Sequence, residues 1–146
     1  MGQKPARPLS PHVWHYSWGP HMMASIIHRA SGFIIATAGM LTLLWWLSAI
    51  GGGAESYATF QKYVVWAGKD ATGGQVAVNW LFRIVGLVVV WSFFQHLFSG
   101  LRHLVMDMGA GYELNTNRTW AIVVFIASIT ATGALALFIA SKYIGV

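Results

Sequence analysis

Residues 84 to 101 read IVGLVVVWSFFQHLFSGL, a run from Ile84 to Leu101 with no Asp, Glu, Lys or Arg and a single histidine, His96. About 20 mostly apolar residues cross the hydrocarbon core of a bilayer as a helix, so this run with its flanks reads as a span. Two further runs have the same character, Phe33 to Ile50 and Thr119 to Ser141. In the whole chain of 146 residues, 56% are hydrophobic and 9% are charged. An ordinary soluble domain carries roughly 25% charged residues and needs them to cover its surface. The sequence therefore predicts an all-α membrane protein, one domain over 1–146, with three transmembrane helices over about 21–50, 78–106 and 119–142.

The flanks fit that reading. All four prolines, Pro5, Pro8, Pro11 and Pro20, fall in the first twenty residues, where Trp14, Tyr16 and Trp18 also lie. Proline argues against helix, and Trp and Tyr favour the headgroup zone, so residues 1–20 are expected to form a non-helical arm lying along the membrane surface. The arm has no apolar run for a secretory signal and too little Arg and Ser for a transit peptide, which favours a bacterial or already processed chain. Gly51-Gly52-Gly53 stops the first helix. Gly32, Ala36 and Gly39 give it a small-residue face for close helix approach. Residues 54–79 are expected to form a polar connection, with Glu55, Lys62, Lys69 and Asp70, and Asp107 to close the second helix.

Orientation follows the bias of Lys and Arg. Lys4, Arg7, Arg29, Arg102 and Arg118 share one side; Lys62, Lys69, Lys142 and Arg83 fall toward the other. That bias puts the N-terminus inside. All six histidines, His12, His15, His21, His28, His96 and His103, belong to the same side. The net charge of +5 is scattered without a basic stripe, so nucleic acid is not an expected partner. With no cysteine, the chain has no disulfide, thiolate metal site or iron–sulfur ligand of its own.

His96 and His103, seven residues apart, share a helix face about 10 Å apart. A histidine within a span marks a functional site by default. Without cysteine, neutral imidazole is the natural axial ligand for a haem iron; the plainer possibility is a polar contact to another helix. Gly100, one turn beyond His96, would leave room for a flat macrocycle. Ser25, His28 and Arg29 fall near one face at the start of the first helix. Arg29 is either an interfacial anchor or a partner for a propionate or a quinone carbonyl. Arg102 and His103 admit the same two readings, and Asp107 is expected to pair with Arg102 or Arg118. Trp45 and Trp46 read as belt and lipid-facing residues. No Ser–His–Asp set, phosphate loop or carboxylate pair occurs, so hydrolytic and flavin chemistry is not expected of this chain.

Two segments carry a family resemblance. Arg7-Pro8-Leu9-Ser10-Pro11-His12, followed by Ser25-Ile26-Ile27-His28-Arg29-Ala30-Ser31-Gly32, resembles the N-terminal signature of the succinate dehydrogenase cytochrome b subunit. His96-Leu97-Phe98-Ser99-Gly100-Leu101-Arg102-His103-Leu104-Val105-Met106-Asp107 resembles that family's second signature. The resemblance implies that His96 is the axial ligand of haem b, with the second ligand from a small membrane anchor subunit. It places Ser25 and Arg29 at a ubiquinone pocket near the iron–sulfur subunit, and His28, Arg29 and His103 toward the haem and its propionates. It also implies a flavoprotein subunit with FAD, iron–sulfur clusters in a further subunit, and a bacterial inner membrane, or a mitochondrial one if the chain is eukaryotic. The connection 54–79 is long for that family. Three other readings are a stand-alone b-type cytochrome using His28 and His96, a fumarate reductase anchor running in reverse, and a structural membrane protein without cofactor.

Overall fold

The computed structural model describes residues 17–144. The arm's first sixteen residues, with Trp14, Tyr16, His12 and His15, lie outside the described residues. Residues 17–19 are unwound, as the arm reading expects, and Gly19 is extended at φ −82° and ψ 159°. Pro20 then opens the first spanning helix, α1 (Pro20–Gly51), because a missing N–H costs nothing in a first turn and its ring presets φ. Within α1, Ile35–Gly39 forms one wider π turn. Gly53, at φ 86°, takes the left-handed conformation that lets the chain leave the helix.

The connection is more ordered than its composition indicates. It contains a helix, α2 (Ala54–Val64), whose Phe60 is buried edge-on against Trp45, with ring centroids 5.1 Å apart. Trp45 also packs against Phe82, so it is a structural contact of the bundle end; Trp46 is exposed as expected. The Asn79 side-chain amide donates to the Tyr63 carbonyl at 3.0 Å, and the Arg83 guanidinium donates to the Val65 carbonyl at 2.6 Å. These two bonds satisfy carbonyls freed at the end of α2.

The second spanning helix, α3 (Gly73–Asp107), begins before the expected Val78. The reason is local. Thr72 accepts from the Gln75 N–H while the Gln75 side chain accepts from the Thr72 N–H, a reciprocal cap. Replacing Thr72 with Ala removes half of that cap, worth about 1 kcal/mol. The expected result is faster amide exchange confined to the first turn of α3. The 35 residues of α3 run about 52 Å, longer than the hydrocarbon core, so its ends reach the headgroup zones. The third span, α4 (Leu114–Ile139), also starts earlier than the expected Thr119 and continues into a π turn over Ala140–Ile144.

Packing is inverted relative to a soluble bundle. α3 lies against both α1 and α4, and α1 also touches α4. The buried positions are small or polar: Ala24, Ser31, Ser92, Gln95, Ser99, Ala121, Ser128 and Thr132. Large apolar residues such as Phe33, Leu41, Ile84, Ile126 and Leu137 face outward. In lipid no hydrophobic drive sorts Leu inward, so small side chains that permit close approach take the interfaces. Of the expected small face, Gly32 meets α3 at His96 and Gly39 meets it at Val89, whereas Ala36 is exposed. The Ser128 hydroxyl donates to the Gln95 side-chain oxygen at 2.7 Å and ties α4 to α3.

Candidate functional site

Antiparallel pairing of α1 and α3 brings the first turns of one beside the last turns of the other. Three imidazoles meet there. His28 stacks on His96 with ring centroids 4.0 Å apart and planes 11° from parallel, and lies 4.9 Å from His103 at 39°. No group of three His, Asp or Glu among the described residues is arranged to chelate a metal ion. The histidines therefore pack as rings; they do not enclose a cation.

Hydrogen bonds assign their tautomers. A carbonyl oxygen can only accept, so His96 Nδ1 must carry the proton it presents to the His28 carbonyl at 3.0 Å. His96 Nε2 is left with its lone pair and without a hydrogen-bond partner among the described residues. The same carbonyl accepts from the Ser31 hydroxyl at 2.9 Å, which holds it in place. His103 repeats the pattern, its Nδ1 donating to the Ser99 carbonyl at 2.7 Å. A ring nitrogen tied to a carbonyl fixes the plane and raises the basicity of the other nitrogen, the usual preparation of an imidazole ligand. His28 differs: its Nδ1 is buried and unpartnered.

The room for His96 comes from the facing helix. A Cβ on Gly32 would lie 2.8 Å from His96 Cε1 and 3.0 Å from Nδ1. Gly100, expected to leave room for a flat macrocycle, faces His28, with a Cβ there 3.7 Å from the ring. The sequence assigns Gly32 only a place in the small-residue face and Ser31 no role; their spacing of three and four from His28 is the signal for more.

The expected face of Ser25, His28 and Arg29 divides in the structure. His28 turns in to the ring cluster, half-buried Ser25 donates to the His21 carbonyl at 3.3 Å, and Arg29 is exposed. Arg29 thus stands at the same membrane face as the cluster, with its guanidinium available to something outside this chain. Arg102 goes elsewhere. It is only 7% exposed and bonds to Asn117 of α4, not to Asp107. Six residues along a helix place it about 120° around α3 from His96.

The donor set suits one planar iron macrocycle bound from one side: a tethered imidazole with a free Nε2, and a backbone cradle that any Cβ would fill. The His28 and His96 rings are stacked face to face and so do not present nitrogens to a common point between them.

The family model described as succinate dehydrogenase/fumarate reductase transmembrane subunit matches residues 3–135. The chain is 33% identical over 132 residues to the mitochondrial succinate dehydrogenase cytochrome b560 subunit of Mus musculus, covering 89% of this chain and 70% of that protein. It is 33% identical over 108 residues to the succinate dehydrogenase cytochrome b556 subunit of Paracoccus denitrificans, covering 74% and 72%. To the corresponding b556 subunit of Coxiella burnetii it is 28% identical over 125 residues, covering 86% and 90%.

Proposed function

Because this chain belongs to the succinate dehydrogenase/fumarate reductase transmembrane subunit family, we propose that it anchors a succinate:quinone oxidoreductase in the membrane, supplying one axial ligand to haem b and part of the ubiquinone site. The observation that carries the proposal is the His96 ring, tethered through Nδ1 with Nε2 free over the Gly32 cradle. The second axial ligand would come from a small anchor subunit, because the intrachain candidate, His28, lies face to face with His96. That stacking also counts against a stand-alone cytochrome.

In this reading, succinate is oxidised at FAD in a flavoprotein subunit, and electrons pass through a subunit with iron–sulfur clusters to ubiquinone at this membrane face. Bound haem would supply a site able to take and release one electron. His96 would hold its iron. His28 and His103 would serve its propionates, and the His28 Nδ1, unpartnered among the described residues, has a donor or acceptor role to fill. Arg29 orients the quinone and stabilises negative charge developing on its oxygen, with Ser25 beside it. The face carrying these residues is the inside face of a bacterial inner membrane, or the matrix face of a mitochondrial one. A fumarate reductase direction uses the same residues, and the family's description spans both.

Arg29 tests the activity directly. Arg29→Ala is expected to lower quinone reduction by the purified complex about 100-fold, the cost of one lost charge-stabilising donor. Succinate oxidation by a soluble dye should persist, since that chemistry lies in other subunits. Equal loss of both activities would assign Arg29 to assembly and remove it from the quinone site.

A further inference from the structure

Arg102 leaves a charge unaccounted for. Its Nη2 bonds to Asn117, but Nε and Nη1 are buried and have no partner among the described residues. Most of the guanidinium's donors are thus both dry and unused. A buried cation without a counter-charge is strongly unfavourable, and more so at membrane depth. No described residue supplies the anion that would complete it. The position, about 120° around α3 from His96, separates this requirement from the histidine cluster.

Arg102 lines a cavity of about 190 Å³ between α3 and α4. Its other walls include Phe98, Leu101, Val105, Trp120 and Val123, and Arg102 is the only charged residue on it. Leu101, Val105, Trp120 and Val123 are all more than two-fifths exposed, so the opening faces outward among aliphatic and aromatic side chains. Arg102 lies about 7.5 Å along the axis from the end of α3 at Asp107, close to headgroup depth. Trp120, and Tyr112 in the adjoining loop, are amphipathic rings of the kind that settle there. A partner carboxylate would satisfy the charge but would not require an apolar trough open to the bilayer. A phospholipid uses both features: a phosphodiester for the guanidinium, and acyl chains for the trough. Basic pockets between spanning helices are recurrent sites for anionic headgroups.

We propose that Arg102 and the groove between α3 and α4 form a binding site for an anionic phospholipid, with the phosphate held by Arg102 and an acyl chain lying against Leu101, Val105 and Val123. The bound lipid neutralises Arg102 and fastens the α3–α4 pair at this membrane face.

The test uses protein purified from membranes with whatever subunits accompany it, stripped of loose lipid and titrated with phosphatidylglycerol, phosphatidylcholine or inorganic phosphate. The readout is the unfolding temperature, with bound phosphatidylglycerol measured by native mass spectrometry. The unaltered protein should be stabilised by phosphatidylglycerol well below the concentration at which phosphatidylcholine acts, and not by inorganic phosphate. Arg102→Gln should require roughly tenfold more phosphatidylglycerol, the equivalent of one charge-assisted hydrogen bond. Val123→Trp, which fills the trough and leaves Arg102 intact, should weaken the response as much and carries the test if the Arg102 variant fails to assemble. Equal responses to the two lipids, or an undiminished phosphatidylglycerol response in Val123→Trp, would overturn the proposal. Stabilisation by inorganic phosphate alone would reduce the site to an ion site and overturn the lipid assignment. Loss of a companion subunit from Arg102→Gln, with no phosphatidylglycerol preference in the unaltered protein, would assign the counter-charge to a partner carboxylate.

Discussion

Replacing His96 with Ala is expected to abolish the b-type signal in the reduced-minus-oxidised spectrum of the purified complex, while the complex still assembles. The expectation rests on three features that meet at one ring. Nδ1 is committed to the His28 carbonyl, Nε2 is unengaged, and Gly32 leaves the ring its space. Alanine removes the ligand and leaves a void the size of an imidazole, with the carbonyl acceptor still held by Ser31. Free imidazole added to the variant should therefore restore part of the signal, whereas added phosphate should not. Rescue separates a missing ligand from a collapsed bundle. An unchanged spectrum would assign the iron to another histidine and would detach the haem reading from the α1–α3 contact.

Gly32→Val should weaken haem retention about 10- to 100-fold, the range for removing a group that orients a metal ligand. Even the first added carbon would stand 2.8 Å from His96 Cε1, and two further methyls leave the ring nowhere to lie in its present plane. His96 must turn away, which breaks its bond to the His28 carbonyl and misdirects Nε2. The effect reaches the ligand from the opposite helix without touching His96 itself. Gly133→Ala is the matched control: its added Cβ meets nothing within 4 Å, so the spectrum should be unaltered. Intact haem binding in Gly32→Val would mean that the ring has a second productive position, and that the cradle is incidental.

The unused donors of Arg102 and the unpartnered Nδ1 of His28 point the same way. Neither group is completed by this chain's described residues, although both are fixed by its packing. The outward-facing Phe33, Leu41 and Leu137 offer an apolar surface suited to lipid.

The three spans were legible in the residues because each is a long run without charge, and only a helix lets such a run satisfy its own backbone in lipid. The two signatures marked His96, His28, Arg29 and Ser25 as candidates; of these, packing brings together His28 and His96. Helix ends were read less well. Gly73 begins a helix that composition placed later, since the Thr72–Gln75 cap depends on side-chain geometry; Leu114 also begins its helix early, without a side-chain cap. The connection from 54 to 79 read as polar because Glu55, Lys62 and Lys69 outweigh the single Phe60 that docks its helix. Periodicity put Ser25, His28 and Arg29 on one face, but only the position of α3 decided that His28 turns inward and Arg29 outward. Sequence likewise offered Arg102 a place beside the haem and Asp107 as its partner, and the third helix gave it Asn117 instead. What the chain determined alone was the membrane, the helix count and the candidate residues, because hydropathy and residue type are local properties. Which glycine faces which ring, and which cation lacks a counter-charge, depend on the rotation and depth of neighbouring helices, and those are set only when the helices pack.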